Sequence, residues 1–127
     1  MPRQSVFLVR TAFLYFGFGF SVGALILANK GIPFWPPAWT LIPLHIEFLL
    51  VGWLLQFAIG IAYWIIPRFS GNQKRGIVWM AWAGYALLNA GVLLVVAGAV
   101  FAGRLMQMAA VGLFISQMWA RVKPLEE

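Results

Sequence analysis

The stretch PLHIEFLLVGWLLQFAIGIAYWIIPRF, residues 43–69, decides how this chain is built. Between its two prolines the run is apolar on all sides, broken only by His45, Glu47 and Gln56. A helix on the surface of a soluble domain keeps a polar face, and this one has none. It is also longer than the ~20 residues needed to cross a hydrocarbon core, so it reads as a membrane span. The chain's only histidine and its only acid away from the terminus are thus placed where polar groups are costly.

Working outward, the other apolar segments repeat the pattern. With 63% hydrophobic and 9% charged residues, the 127-residue chain falls outside the composition of soluble domains. Four spans are expected, at about 6–28, 40–66, 77–101 and 105–122. The fold class is therefore all-α: a single integral membrane four-helix bundle over residues 1–127. The first span follows a basic start but is longer than the apolar core of a cleaved signal peptide.

The pI near 10.6 does not point to nucleic acid, because the basic residues cluster at span ends. Arg3, Arg10, Arg68, Lys74, Arg75, Arg121 and Lys123 fall at the N-terminus, the second loop and the C-terminus. The first and third loops carry only Lys30 and Arg104. The excess predicts both termini in the cytoplasm, a second span running from outside inward, and His45 toward the outer side. A bacterial or archaeal cytoplasmic membrane is the expected location. The absence of cysteine removes disulfides, thiolate metal ligands and c-type haem attachment.

Glycines at 19 and 23 have the small-xxx-small spacing of close helix packing, and Gly84, Gly91 and Gly98 form a second stripe at sevenfold spacing. The loop NKGIPFWPPAW, with three prolines and two tryptophans, reads as a stiff interfacial anchor or as a lid over a cofactor edge. Tyr85 and Asn89 read as interhelical hydrogen-bonding groups.

On a regular helix His45, Leu49, Gly52, Gln56, Gly60 and Tyr63 lie within ~60° of one line. His45 would sit ~7 Å below Thr40 if that residue marks the boundary. A buried histidine there can bond to another helix, ligate haem iron or relay protons, and Gly52 would give a flat macrocycle clearance. Glu47 is turned ~200° from His45 and cannot orient it directly. It must be protonated, paired with a base, or turned to a polar cavity. A second span shared between two protomers is the favoured way to shelter both faces, and a central position in the bundle is the other.

The order of these residues resembles the second transmembrane helix of the catalytic subunit of haem–copper oxygen reductases and related nitric oxide reductases. The matching positions are His45, Gly52, Trp53, Gly60, Tyr63, Pro67 and Arg68. The first span, with AFLYFGFGFSVGALIL, is similar to the Gly-containing first helix of those subunits, though less specifically. The resemblance implies that His45 is an axial ligand of a low-spin haem on a helix running inward. A full subunit has about three times as many helices and builds its copper site from histidines on later ones. With one histidine the chain cannot assemble that centre, so the resemblance transfers a haem site and not oxygen or nitric oxide reduction.

A low-spin haem needs a second ligand. It could come from His45 of a second copy across a two-fold axis, with the stripe around Gly52 as dimer face, from a partner subunit, or from Met80, Met106 or Met108. Haem propionates would meet Arg104, Lys30, Trp35 or Trp39. The expectation is a haem b electron-transfer protein, a homodimer or part of a larger respiratory complex, with the candidate site residues His45, Gly52, Gln56, Arg104 and Trp39. Its donor would be a quinol or a cytochrome. The rival is a cofactor-free accessory subunit of a membrane respiratory complex. A third reading joins Glu47, His45 and Gln56 in a quinone pocket or proton path.

Overall fold

The computed structural model describes residues 1–67 and 76–122. Arg68, Lys74, Arg75 and Lys123, used above for orientation, lie outside the described residues. Among those described, four helical spans are long and apolar enough to cross a membrane: α1 (Arg3–Gly31), the second span (Pro36–Ile65), α4 (Val78–Val96) and α5 (Val100–Trp119). They run up, down, up and down. The first pair packs along α1 and the second pair packs tightly on itself, as α4 against α5.

The second span is four helical pieces in series. A 3₁₀ turn (Pro36–Leu41) leads into α2 (Ile42–Glu47), then a π-helical segment (Phe48–Leu55), then α3 (Gln56–Ile65). Residues 48, 52, 56 and 60 all face α1: Phe48 lies beside Gly19, Gly52 under the Tyr15 ring, Gln56 on the Leu8 carbonyl and Gly60 against Leu8 and Val9. In a regular α-helix each four-residue step would drift ~40° around the axis. The wider π turns absorb part of that drift and hold the seam on one face.

The core runs through the bundle centre as Leu8, Ile59, Tyr63, Ala81, Leu88, Ala110 and Phe114. Large apolar side chains such as Phe13, Phe18, Leu27, Phe101 and Trp119 point outward. That exposure would be a liability in water and suits lipid as solvent.

The third connection differs from the expectation of a span running to residue 101. The chain turns at 97–99, where Gly98 takes φ +95 and terminates α4. Ala99 N–H donates to the Leu94 carbonyl and Gly98 N–H to the Val95 carbonyl, a Schellman cap that satisfies the last carbonyls of α4. Gly98 is therefore a cap and not part of the packing stripe, whereas Gly84 meets Phe114 and Gly91 meets Gly103 and Gln107 on α5. Arg104 consequently sits inside α5 and not in a loop.

At the opposite end Arg121 is buried and donates to the carbonyls of Tyr63, Ile66 and Pro67. These carbonyls lie in the last turn of α3 and just beyond it, where a cation also opposes the helix dipole. A residue expected to act as a surface orientation charge is thus a helix cap.

Candidate functional site

His45 is half-buried on α2 and is held against α1. Its Nδ1 lies 2.7 Å from the Gly19 carbonyl oxygen. A carbonyl can only accept, so Nδ1 carries a proton, and in the neutral ring Nε2 keeps its lone pair. Among the described residues Nε2 has no hydrogen-bond partner. The ring lies over Gly23, where an added Cβ would overlap it. The Gly19 and Gly23 pair thus packs the second span, as its spacing predicts, and Gly23 in particular admits the imidazole.

His45 lines a surface groove of about 260 Å³ with Gly23, Ile26, Leu27, Lys30, Trp39 and Ile42. Lys30 and Trp39 come from the two ends of the proline-rich loop. That loop is folded back by Asn29, whose Oδ1 accepts from the backbone N–H groups of Phe34 and Trp35, at 3.1 and 2.7 Å. The groove thus combines one imidazole, one ammonium and one indole at a single end of the bundle. It is smaller than the ~300–1,000 Å³ of sites that enclose a ligand. One chain supplies one wall, and a flat cofactor seated on it would need a second body on its other side.

The remaining expected site residues lie elsewhere. Gly52 gives no clearance to a macrocycle, because the Tyr15 ring occupies that space; an added Cβ would come within 2.6 Å of Tyr15 Cγ. Gln56 is fully buried, with Nε2 donating to the Leu8 carbonyl at 3.2 Å. The stripe through both residues is the seam with α1 and not a free dimer face. Of the candidate methionines, Met108 lines a groove on α5, and no methionine lines the grooves that His45 borders.

Arg104 is on the other side of the second span, paired with Glu47. Its Nη2 is 2.8 Å from Glu47 Oε2, and its Nη1 donates to Glu47 Oε1 at 3.2 Å and Gln107 Oε1 at 2.7 Å. Gln107 Nε2 returns a bond of 2.5 Å to Glu47 Oε1. Glu47 is 2% exposed, so its shelter is a central position in the bundle and not the protomer interface favoured above. The opposed faces of His45 and Glu47 are as the helical angle requires. They also separate Glu47, His45 and Gln56, which do not converge on a quinone pocket.

Tyr85 bonds across helices to Thr11, with the hydroxyl oxygens 2.8 Å apart, whereas Asn89 donates within its own helix to the Tyr85 carbonyl. Sequence reasoning missed Gly23 as the seat of the imidazole and Gln107 as the third member of the acid cluster. Gln107 was findable, since it lies three residues after Arg104 on the same helix face. Comparison of the chain with protein-family models, curated proteins and solved structures finds no match.

Proposed function

We propose that this chain is a membrane-embedded cytochrome of b type that ligates haem iron through His45 and passes single electrons. The observation that carries the reading is the bond from His45 Nδ1 to the Gly19 carbonyl. A histidine that ligates a metal donates its other ring N–H to such an acceptor, which fixes the tautomer and raises the basicity of Nε2. Haem, when bound, supplies the one-electron couple, and the polypeptide supplies ligation, orientation and a low dielectric.

Each groove residue has a part in this reading. Gly23 leaves room for the ring, Gly19 orients it, and Lys30 and the Trp39 indole are donors for anionic propionates at the groove mouth. No methionine lines the described grooves that His45 borders, so His45 of a second copy across a two-fold axis would supply the other iron ligand and also the missing wall. The positive-inside rule puts both termini in the cytoplasm of a bacterium or archaeon and the groove near the outer face. There a quinol or a cytochrome would donate and another respiratory protein accept.

The test is a reduced-minus-oxidised visible spectrum of detergent-purified protein with a pyridine haemochrome assay. The expected result is a low-spin spectrum with one haem per two chains. His45→Ala should abolish haem retention, and His45→Gln, which keeps an amide donor for Gly19, should do the same with the fold intact. Unchanged haem content in either variant would reject the ligand assignment. A second reading has one observation in its favour: the imidazole bonded to Gly19 over Gly23 is a complete interhelical clamp without any cofactor. Haem-free protein from haem-replete cells, purified with a stoichiometric partner, would make the chain a cofactor-free accessory subunit of a larger respiratory complex.

A further inference from the structure

Another groove lies on α5, on the other side of the second span from His45. It measures about 440 Å³ and is lined by Arg104, Gln107, Met108, Val111, Gly112 and Ile115. Arg104, Met108, Val111, Gly112 and Ile115 follow the i, i+4, i+7, i+8, i+11 pattern of one helix face. Its floor is Gly112, where an added Cβ would meet nothing within 4 Å. The walls are apolar, and the one charged side chain, Arg104, stands at one end with 48% of its surface exposed.

Two features say what occupies it. The first is the state of the guanidinium, which has five N–H donors. Three are committed: Nη1 to Glu47 and to Gln107, and Nη2 to Glu47. The donors left are Nε–H and one Nη2–H, which form the side edge of the fork. Such a planar two-donor edge matches a phosphate or carboxylate. The buried Glu47 and Gln107 hold the guanidinium in place, so little side-chain entropy is lost when an anion joins it.

The second feature is length. From Arg104 to Ile115 the helix rises ~16 Å, which is about half of a ~30 Å hydrocarbon core. The groove therefore extends from the level where an arginine snorkels to the headgroups down to the bilayer midplane. That is the reach of one acyl chain of one leaflet.

We infer that this groove is a binding site for a single anionic phospholipid of the leaflet at the Gly98 turn, its phosphate on the free edge of Arg104 and one acyl chain over Gly112. The lipid completes the hydrogen bonding of Arg104 and covers the gap that Gly112 leaves in the surface of α5. The inference rests on the membrane reading alone and is independent of the haem proposal.

Native mass spectrometry of the purified protein, titrated with phosphatidylglycerol or with diacylglycerol of the same chains, tests it. One phosphatidylglycerol should bind per chain, at least about tenfold more tightly than the diacylglycerol, as expected for charge-assisted bonds. Gly112→Leu fills the groove from an open position and should lower that affinity about tenfold with helical content and thermal midpoint preserved. Arg104→Lys keeps a cation for Glu47 but removes the two-donor edge, and should erase the preference for the phosphate lipid. Equal binding of both lipids to the wild type, or undiminished binding to Gly112→Leu, would overturn the inference. So would a change of oligomeric state in Gly112→Leu, which would assign the groove to a second copy of the chain.

Discussion

Replacing Arg104 by alanine strands a deeply buried carboxylate. Glu47 is 2% exposed, and after Arg104→Ala its remaining donor among the described residues is Gln107 Nε2. Breaking a fully buried ion pair costs ~3–5 kcal/mol, whereas an exposed pair contributes ~0.2–1 kcal/mol. Here one partner is buried and the other is 48% exposed, which puts the cost between those limits, at about 2 kcal/mol. Protonation of the stranded acid sets a ceiling on the penalty, since a neutral carboxyl is cheaper to bury than a carboxylate.

The diagnostic is the double variant. Glu47→Leu in the Arg104→Ala background removes the stranded group, fills its space with apolar volume and should recover most of the loss. A double-mutant cycle should then give a coupling energy of about 2 kcal/mol. Unfolding is followed by far-ultraviolet circular dichroism as dodecyl sulfate displaces a mild detergent at constant temperature. A coupling energy below ~0.5 kcal/mol, within the scatter of independent sites, would refute the view that this pair holds the second span to α5.

Two further outcomes follow from backbone packing and from the loop. Gly91→Ala should destabilise by ~1–3 kcal/mol in the same unfolding assay, because its Cβ would lie 2.8 Å from the Gly103 carbonyl oxygen, a backbone atom that cannot step aside. Gly112→Ala, at an open helical position, should be neutral or stabilising by up to ~1 kcal/mol, and an equal loss at both sites would contradict the packing of α4 on α5. Asn29→Ala removes the acceptor of two backbone N–H groups and should speed hydrogen exchange at Phe34 and Trp35 by roughly tenfold or more, with exchange along α5 unchanged.

The second span shows how far a linear reading reaches. Its apolar length made it a membrane span, and the angle between positions 45 and 47 placed their side chains on opposite faces. Both conclusions depend only on the local geometry of a helix. The reading missed the π-helical segment at Phe48–Leu55, which contains no proline and has no composition that marks it, although positions 45, 49, 52, 56 and 60 share the side toward α1 as the regular period placed them. It failed again at Gly52, where a missing side chain was read as space for a cofactor and is filled by Tyr15 from another helix. Gly98 looked like the third member of a stripe, but only the backbone sign at that residue distinguishes a cap from a packing site.

The sequence by itself determined the solvent, the number of spans and the need of Glu47 for a partner, because each is a sum over neighbouring residues or a single burial cost. Tertiary structure alone decided that the partner is Arg104, that His45 is fixed by Gly19 and that Arg121 caps α3. In lipid the helices gain no hydrophobic energy from meeting one another, so which faces meet is set by shape and by interhelical hydrogen bonds. Several glycine stripes along this chain could each have served as a contact. Only the simultaneous fit of all four helices selects among them, and that fit joins residues more than fifty positions apart, such as Glu47 and Arg104, which no local pattern connects.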